Sequence, residues 1–125
     1  MLNVLLVALG GGLGAASRFG VSLAIPARAD AWPVATFSIN VAGSFLIGLL
    51  AGWLAVRGDA GEPWRLFLGV GVLGGFTTFS AYSLETMRMI ERSDWVGAAS
   101  YAIGSVTAGL IAVVIGMMLA KRVLG

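Results

Sequence analysis

A polar segment stands in the middle of an otherwise apolar, uncharged stretch, and its residue types could guide an ion across a membrane. Residues 74–83 (GGFTTFSAYS) include two glycines, five hydroxyl residues and three aromatic rings, with Tyr82 counted both as a hydroxyl and as a ring. Glycine weakens a helix, and hydroxyl groups offer the freed backbone groups other hydrogen-bond partners. Irregular backbone at membrane depth is tolerated only where protein buries it or where it lines a wet cavity. The segment therefore predicts a broken membrane helix beside an ion or substrate path.

The composition requires a membrane around this segment. Of the 125 residues, 58% are hydrophobic and only 11% are charged, which is more apolar surface than a soluble domain of this size can bury. A membrane helix needs about 20 apolar residues. The uncharged runs predict an all-α membrane protein with one domain, 1–125, and no cleaved signal peptide. Its four transmembrane helices are expected at about 2–25, 33–56, 65–91 and 95–121, the third broken at Gly74–Ser80.

Several function classes are excluded by residue type. The chain has no cysteine and no histidine, which removes disulfides, thiolate metal sites and imidazole proton relays. No serine has a histidine or lysine base near it, and no carboxylate pair has active-site spacing within the membrane, so we expect no enzyme. The basic pI of about 9.7 comes from arginines and lysines at membrane edges rather than from a nucleic-acid surface.

The charges at the membrane edges favour neither orientation strongly. The ends of the predicted helices carry four basic side chains on one side of the membrane and three on the other (Arg57, Arg65, Lys121 and Arg122 against Arg28, Arg88 and Arg92). Orientation follows the excess of positive charge on the cytoplasmic side. We therefore favour a dual-topology protein that forms an antiparallel homodimer. The alternative is one fixed orientation, set by factors outside these charges.

Two helices carry polar stripes with four-residue spacing. Thr36, Asn40 and Ser44 share one face of the second helix, and Tyr101 and Ser105 share a face of the fourth. A primary amide in lipid is costly unless it is hydrogen-bonded. Asn40 is either a bond between helices or an N–H donor to a permeating anion, and the spacing leaves both open. A lone serine such as Ser105 usually bonds to its own helix, although the shared stripe argues for a role in the path.

Charged and aromatic side chains near the polar segment also have two interpretations each. Arg18, in the first helix, either extends to the membrane edge or places a fixed positive charge at a vestibule. We expect Glu85 to pair with Arg88, one turn further on. The rings of residues 76, 79 and 82 recur every three residues, which usually means packing. Their edges are partly positive, however, and would stabilise a dehydrated anion.

Three motifs, in order, resemble the Fluc/CrcB family of fluoride channels along essentially the whole chain. They are GGLGAASRF at 11–19, PVATFSINVAGSF at 33–45 and GGFTTFS at 74–80. The resemblance implies an antiparallel dimer of four-helix subunits with two fluoride pores in the inner (plasma) membrane. Passive export of fluoride through these pores would protect the cell, and membrane lipid would surround the dimer.

The resemblance also implies roles for single residues. Asn40 would donate its amide to fluoride, Phe79 matches the first ring of a phenylalanine pair, and Ser105 and Thr78 would line the pore. Arg18 would lie in a vestibule. A structural sodium ion at the dimer centre would be held by the backbone carbonyls of Gly74 and Thr77.

Two positions depart from the family pattern. Tyr82 stands where the family usually has the second phenylalanine, so a hydroxyl is added that is a further candidate donor to fluoride. Ala35 stands where glycine is frequent, which changes no chemistry.

Two other functions remain as alternatives. A small proton-coupled multidrug transporter would also be short, four-helical and of dual topology, but it needs a carboxylate in the first helix, and residues 2–25 contain none. A non-transporting membrane scaffold would leave Asn40 and the broken helix unexplained. We therefore favour the fluoride channel.

Overall fold

The computed structural model describes residues 1–28 and 30–125, and these are helical with short connections. Ala29, in the loop predicted at 27–32, lies outside the described residues. The longer helices are α1 (Leu2–Ala24), α2 (Val34–Arg57), α3 (Phe79–Glu91) and α4 (Trp95–Leu124). The predicted bounds of helices one, two and four agree with α1, α2 and α4 to within three residues.

Between α2 and α3 the chain forms four short helical pieces. A 3₁₀ turn, Gly58–Gly61, is followed by an α-helical turn, Glu62–Trp64, a π-helical stretch, Arg65–Leu73, and a last α-helical turn, Gly74–Phe76. Residues 62–76 are called the half-helix below. The connection begins at Gly58, whose φ of 57° is the left-handed conformation that glycine adopts without a steric cost.

Three mostly helical stretches within the described residues are long and apolar enough to cross a membrane. They are Leu2–Ala24, Val34–Glu91 and Trp95–Leu124. The middle stretch has 58 residues, whereas one crossing needs about 20. It is divided at the Gly58 turn and again at the break before α3.

The predicted break is present but shorter than the predicted 74–80. Gly74–Phe76 is still helical, α3 already begins at Phe79, and only Thr77 and Thr78 are extended. The hydroxyl of Thr78 accepts a hydrogen bond from the Ala81 N–H at 3.2 Å, which caps α3. Threonine is a favoured residue at this position because its side chain satisfies a backbone donor that the helix leaves free.

Glycines let the helices pack backbone against backbone. A methyl group on Gly14 of α1 would overlap the backbone of Val72, and one on Gly75 would overlap that of Gly11. The same holds between α2 and α4, where a methyl group on Gly48 would overlap the Val113 carbonyl. Such close approach replaces the hydrophobic driving force that lipid does not provide. It fixes α1 on the half-helix and α2 on α4, so the break is positioned from two sides.

Candidate functional site

A groove of about 450 Å³ opens beside the break, between α2, the half-helix, α3 and α4. The structure brings seven of the eight predicted site residues to its walls: Asn40, Gly74, Thr77, Thr78, Phe79, Tyr82 and Ser105. Ser44, from the polar stripe of α2, also lines it. Arg18 lies on α1 and is not part of this groove.

Asn40 holds the break in place through both ends of its amide. Its Nδ2 donates to the Thr78 carbonyl at 2.9 Å, and its Oδ1 accepts from the Thr78 N–H at 2.8 Å. An extended residue points its N–H and carbonyl to the same side, so the amide pairs with Thr78 as a neighbouring strand would. The interpretation of Asn40 as a bond between helices is therefore confirmed. A second Nδ2 hydrogen is not used by these bonds.

The two threonines of the break leave carbonyl groups outside the helical hydrogen-bond ladder. In a continuous helix the Thr78 N–H would donate to the Gly74 carbonyl, but here it donates to Asn40. Likewise the Ala81 N–H donates to the Thr78 hydroxyl rather than to the Thr77 carbonyl. The carbonyls of Gly74 and Thr77 are thus available at the negative end of the half-helix dipole.

Ser105 is the unusual hydroxyl of the groove. Its Oγ is buried and has no hydrogen-bond partner within residues 1–28 and 30–125. Other membrane-helix hydroxyls bond to the carbonyl four residues earlier, for example Ser17 to Leu13 at 2.8 Å and Thr86 to Tyr82 at 2.8 Å. The expectation that Ser105 bonds to its own helix is wrong. A buried hydroxyl without a partner carries a desolvation cost that a ligand in the groove would offset.

The two rings of the groove are held differently. Phe79 is 78% exposed, and its ring centroid lies 5.6 Å from that of Tyr82. The Tyr82 hydroxyl donates to the Ala102 carbonyl of α4 at 2.9 Å, and its ring also contacts Tyr101 at 5.3 Å. A phenol has only one proton to donate. The Tyr82 hydroxyl is therefore a link to α4 in this structure, while its ring faces the groove.

Glu85 makes contacts that the sequence did not predict. Its Oε1 accepts from the Thr36 hydroxyl at 2.6 Å, and its Oε2 accepts from the buried Tyr101 hydroxyl at 3.0 Å. The expected ion pair with Arg88 is absent from the described residues, where ion pairs join Arg65 to Glu62 and Arg92 to Asp94. Two hydroxyl donors on neighbouring helices draw the carboxylate inward. The polar stripes already contained both donors of Glu85. Thr36 shares a helix face with Asn40, and Tyr101 shares one with Ser105, each four residues earlier in the chain.

A second cavity of about 650 Å³ lies beside the C-terminal half of α3. Thr36 and Glu85 form part of its wall, together with three arginines: Arg28, Arg88 and Arg92. A cleft with this excess of positive charge raises the local concentration of anions.

The groove presents uncharged hydrogen-bond donors that could contact a small anion. No residue with an ionised side chain lines it, and the described residues contain no cluster of three or more histidine, cysteine or acidic side chains for a metal ion. Its donors are one N–H of Asn40 and hydroxyl groups, supplemented by ring edges. Such groups can replace lost water without holding an ion as tightly as a fixed charge would.

Comparison with known proteins agrees with this description. Residues 5–117 match the family described as CrcB-like protein, Camphor Resistance (CrcB). The chain is 52% identical over 113 residues to the fluoride-specific ion channel FluC of Methylobacterium nodulans, covering 90% of this chain and 91% of that one. It is also 52% identical over 125 residues to the protein of the same name from Phenylobacterium zucineum, covering 98% of both.

These matches extend over nearly the whole chain, and with the long apolar helices they indicate a multi-pass membrane protein. The relatives are named as ion channels and not as enzymes. The chain belongs to the CrcB family, the family of the FluC ion channels.

Proposed function

We propose that this protein is a fluoride-selective passive channel that exports fluoride across the inner (plasma) membrane and so reduces fluoride toxicity. The observation that carries the proposal is the buried hydroxyl of Ser105, which has no partner among the described residues and lies in an uncharged groove that Asn40 also lines. The names of the relatives select fluoride among small anions.

The chemistry of the groove matches what fluoride requires. Fluoride is small and strongly hydrated, so a path through lipid must supply hydrogen-bond donors in place of water. The free Nδ2 hydrogen of Asn40 and the hydroxyls of Ser105 and Thr78 are such donors. The ring edges of Phe79 and Tyr82 add partial positive charge. Chloride, which is larger and less strongly hydrated, gains less from these small donors.

The proposal includes an antiparallel homodimer of four-span subunits. The 58-residue middle stretch would supply two crossings, joined at the Gly58 turn. The balance of four basic side chains against three allows insertion in both orientations. A second copy and membrane lipid would cover the exposed apolar faces, including the Phe79 ring. Arg18, on α1, would lie in a vestibule and attract anions.

The proposal also includes a structural sodium ion. The carbonyls of Gly74 and Thr77 fit this role, because both lie outside the helical ladder at the C-terminal end of the half-helix. Carbonyls of unwound backbone and half-helix ends are the groups that bind sodium in membrane proteins. When bound, the ion would supply a fixed positive charge beside an otherwise uncharged groove.

Fluoride efflux from liposomes containing purified protein tests the function. The vesicles are loaded with fluoride or with chloride, and a counter-ion shunt is added while an ion-selective electrode records release. We expect rapid fluoride efflux that needs only the shunt, and no chloride efflux. Absence of fluoride efflux from folded protein would contradict the proposal, and equal chloride efflux would contradict its selectivity.

Replacing Ser105 with alanine should reduce fluoride efflux about 10-fold to 100-fold. A hydrogen bond to a charged group contributes about 1.5–3 kcal/mol, and roughly 1.4 kcal/mol corresponds to tenfold in rate. Ser17→Ala is the matched control, because the Ser17 hydroxyl is already bonded to the Leu13 carbonyl. Equal efflux from the Ser105→Ala and Ser17→Ala proteins would remove Ser105 from the path.

Replacing Tyr82 with phenylalanine should leave fluoride efflux within about threefold of the original, because the hydroxyl is bonded to Ala102 and the ring is retained. Stability should fall by about 1 kcal/mol, the usual net contribution of one hydrogen bond. Efflux and thermal unfolding measure the two effects. A severe loss of efflux from a folded Tyr82→Phe protein would show that the hydroxyl takes part in conduction.

A further inference from the structure

We propose that Asn40, together with the Thr78 hydroxyl, is the positioning residue of the cation site, so that one amide connects the anion groove to the bound sodium. This inference rests on the proposed function. It explains how the carbonyls of Gly74 and Thr77 are kept out of the helical hydrogen-bond ladder, so that they can bind a cation.

The first step is a competition for the Thr78 N–H. Without a side-chain acceptor, this N–H could extend the half-helix by donating to the Gly74 carbonyl. Asn40 Oδ1 accepts it instead at 2.8 Å, and Asn40 Nδ2 holds the Thr78 carbonyl at 2.9 Å. The paired bonds fix Thr78 in its extended conformation, with φ of −149° and ψ of 120°. The Gly74 carbonyl consequently stays outside the ladder.

The second step is the same competition one residue later. The Ala81 N–H is the donor that could reach the Thr77 carbonyl, and the Thr78 hydroxyl accepts it at 3.2 Å. Thus each carbonyl of the cation site is released by a side-chain acceptor that takes its helical donor. The two acceptors belong to Asn40 and to Thr78, and Asn40 also fixes the residue that carries the second one.

The third step is the fit of α2 to the break. Gly43 lies three residues after Asn40 on α2, and the methyl group of Thr77 occupies the place that a Cβ of residue 43 would take. Both extended residues are therefore seated on α2, Thr77 against Gly43 and Thr78 against Asn40. Since binding free energies couple reciprocally, sodium at these carbonyls would in turn hold the Asn40 amide in its place in the groove.

Sodium-dependent thermal stability tests this without measuring flux. Purified protein is unfolded in sodium chloride and in N-methyl-D-glucamine chloride at equal concentration, and the difference in Tm is the readout. We expect a higher Tm in sodium for the original protein. Asn40→Leu has a similar size and no charge but loses both bonds, and its sodium-dependent difference should fall by more than half. Ser105→Ala, in the same groove, should keep the full difference.

The outcomes separate this inference from the proposed function. A full sodium-dependent difference in Asn40→Leu, or none in the original protein, would overturn the inference even if fluoride efflux is normal. If Asn40→Leu does not fold, Thr78→Val and Thr78→Ser are compared instead. Valine keeps the shape of threonine but cannot accept the hydrogen bond from the Ala81 N–H, whereas serine can. Loss of the sodium-dependent Tm difference in Thr78→Val but not in Thr78→Ser supports the inference. Equal Tm differences in the two variants overturn it.

Discussion

Asn40→Asp should reduce fluoride efflux at least about 100-fold, the largest change that any single substitution in the groove is expected to cause. The new carboxylate would place a negative charge on the anion path, and two like charges about 4 Å apart repel by roughly 4 kcal/mol at an effective dielectric constant of 20. Aspartate also cannot donate to the Thr78 carbonyl, so one of the two bonds across the break is lost. The liposome efflux assay measures the effect.

The matched control for this change is Asn3→Asp, since Asn3 is the other asparagine of the chain and lies near the exposed start of α1. It introduces the same charge away from the groove, and we expect efflux to stay near the original rate. Normal efflux from a folded Asn40→Asp protein would remove Asn40 from the permeation path. Parallel losses in both variants would point to a general effect of charge and not to the groove.

Gly14→Ala should have the largest effect on stability. An added Cβ would lie 2.8 Å from the Phe76 backbone nitrogen and would overlap the Val72 carbonyl, and neither backbone atom can move aside as a flexible side chain could. Overpacking typically costs about 1–3 kcal/mol. We expect the upper end of this range, which corresponds to a fall in Tm of roughly 10 °C. Thermal unfolding in detergent, followed by size-exclusion chromatography, gives the comparison.

Gly20→Ala provides the reference on the same helix. A Cβ at Gly20 would meet nothing within 4 Å, and alanine favours helix over glycine by about 1 kcal/mol. Its Tm should therefore equal or exceed that of the original protein. A Gly14→Ala protein as stable as Gly20→Ala would mean that α1 and the half-helix do not pack as closely as described.

Local patterns in the sequence predicted the features that local physics determines. Hydropathy gave the apolar helices, and four-residue spacing gave the polar stripes that carry Asn40 and Ser105. Glycine and threonine content predicted the break, although it placed the break over seven residues where only Thr77 and Thr78 are extended. The break is short because the Thr78 cap lets α3 start at once, and a cap depends on side-chain conformation rather than on composition.

The partners of the polar groups could not be predicted in the same way. Glu85 has Arg88 within reach on its own helix, yet it bonds to Thr36 and Tyr101 on two other helices. The Tyr82 hydroxyl had fluoride as a possible partner until the fold placed the Ala102 carbonyl beside it. Such choices depend on how the helices are placed relative to each other. Spacing along one helix fixes which residues share a face, but not which face of the next helix meets it.

The π-helical stretch Arg65–Leu73 has a consequence for how the chain tolerates changes in length. Each of its turns closes a hydrogen bond over five residues rather than four, so the stretch contains a surplus residue relative to an α-helix. Removing one residue here would let that turn become α-helical, with the start of the half-helix and the break kept near their places. The same deletion in α1 would rotate every later residue of that helix by about 100° and turn its packing glycines away from their partners. Length variation among related chains is therefore expected to be accommodated in this stretch.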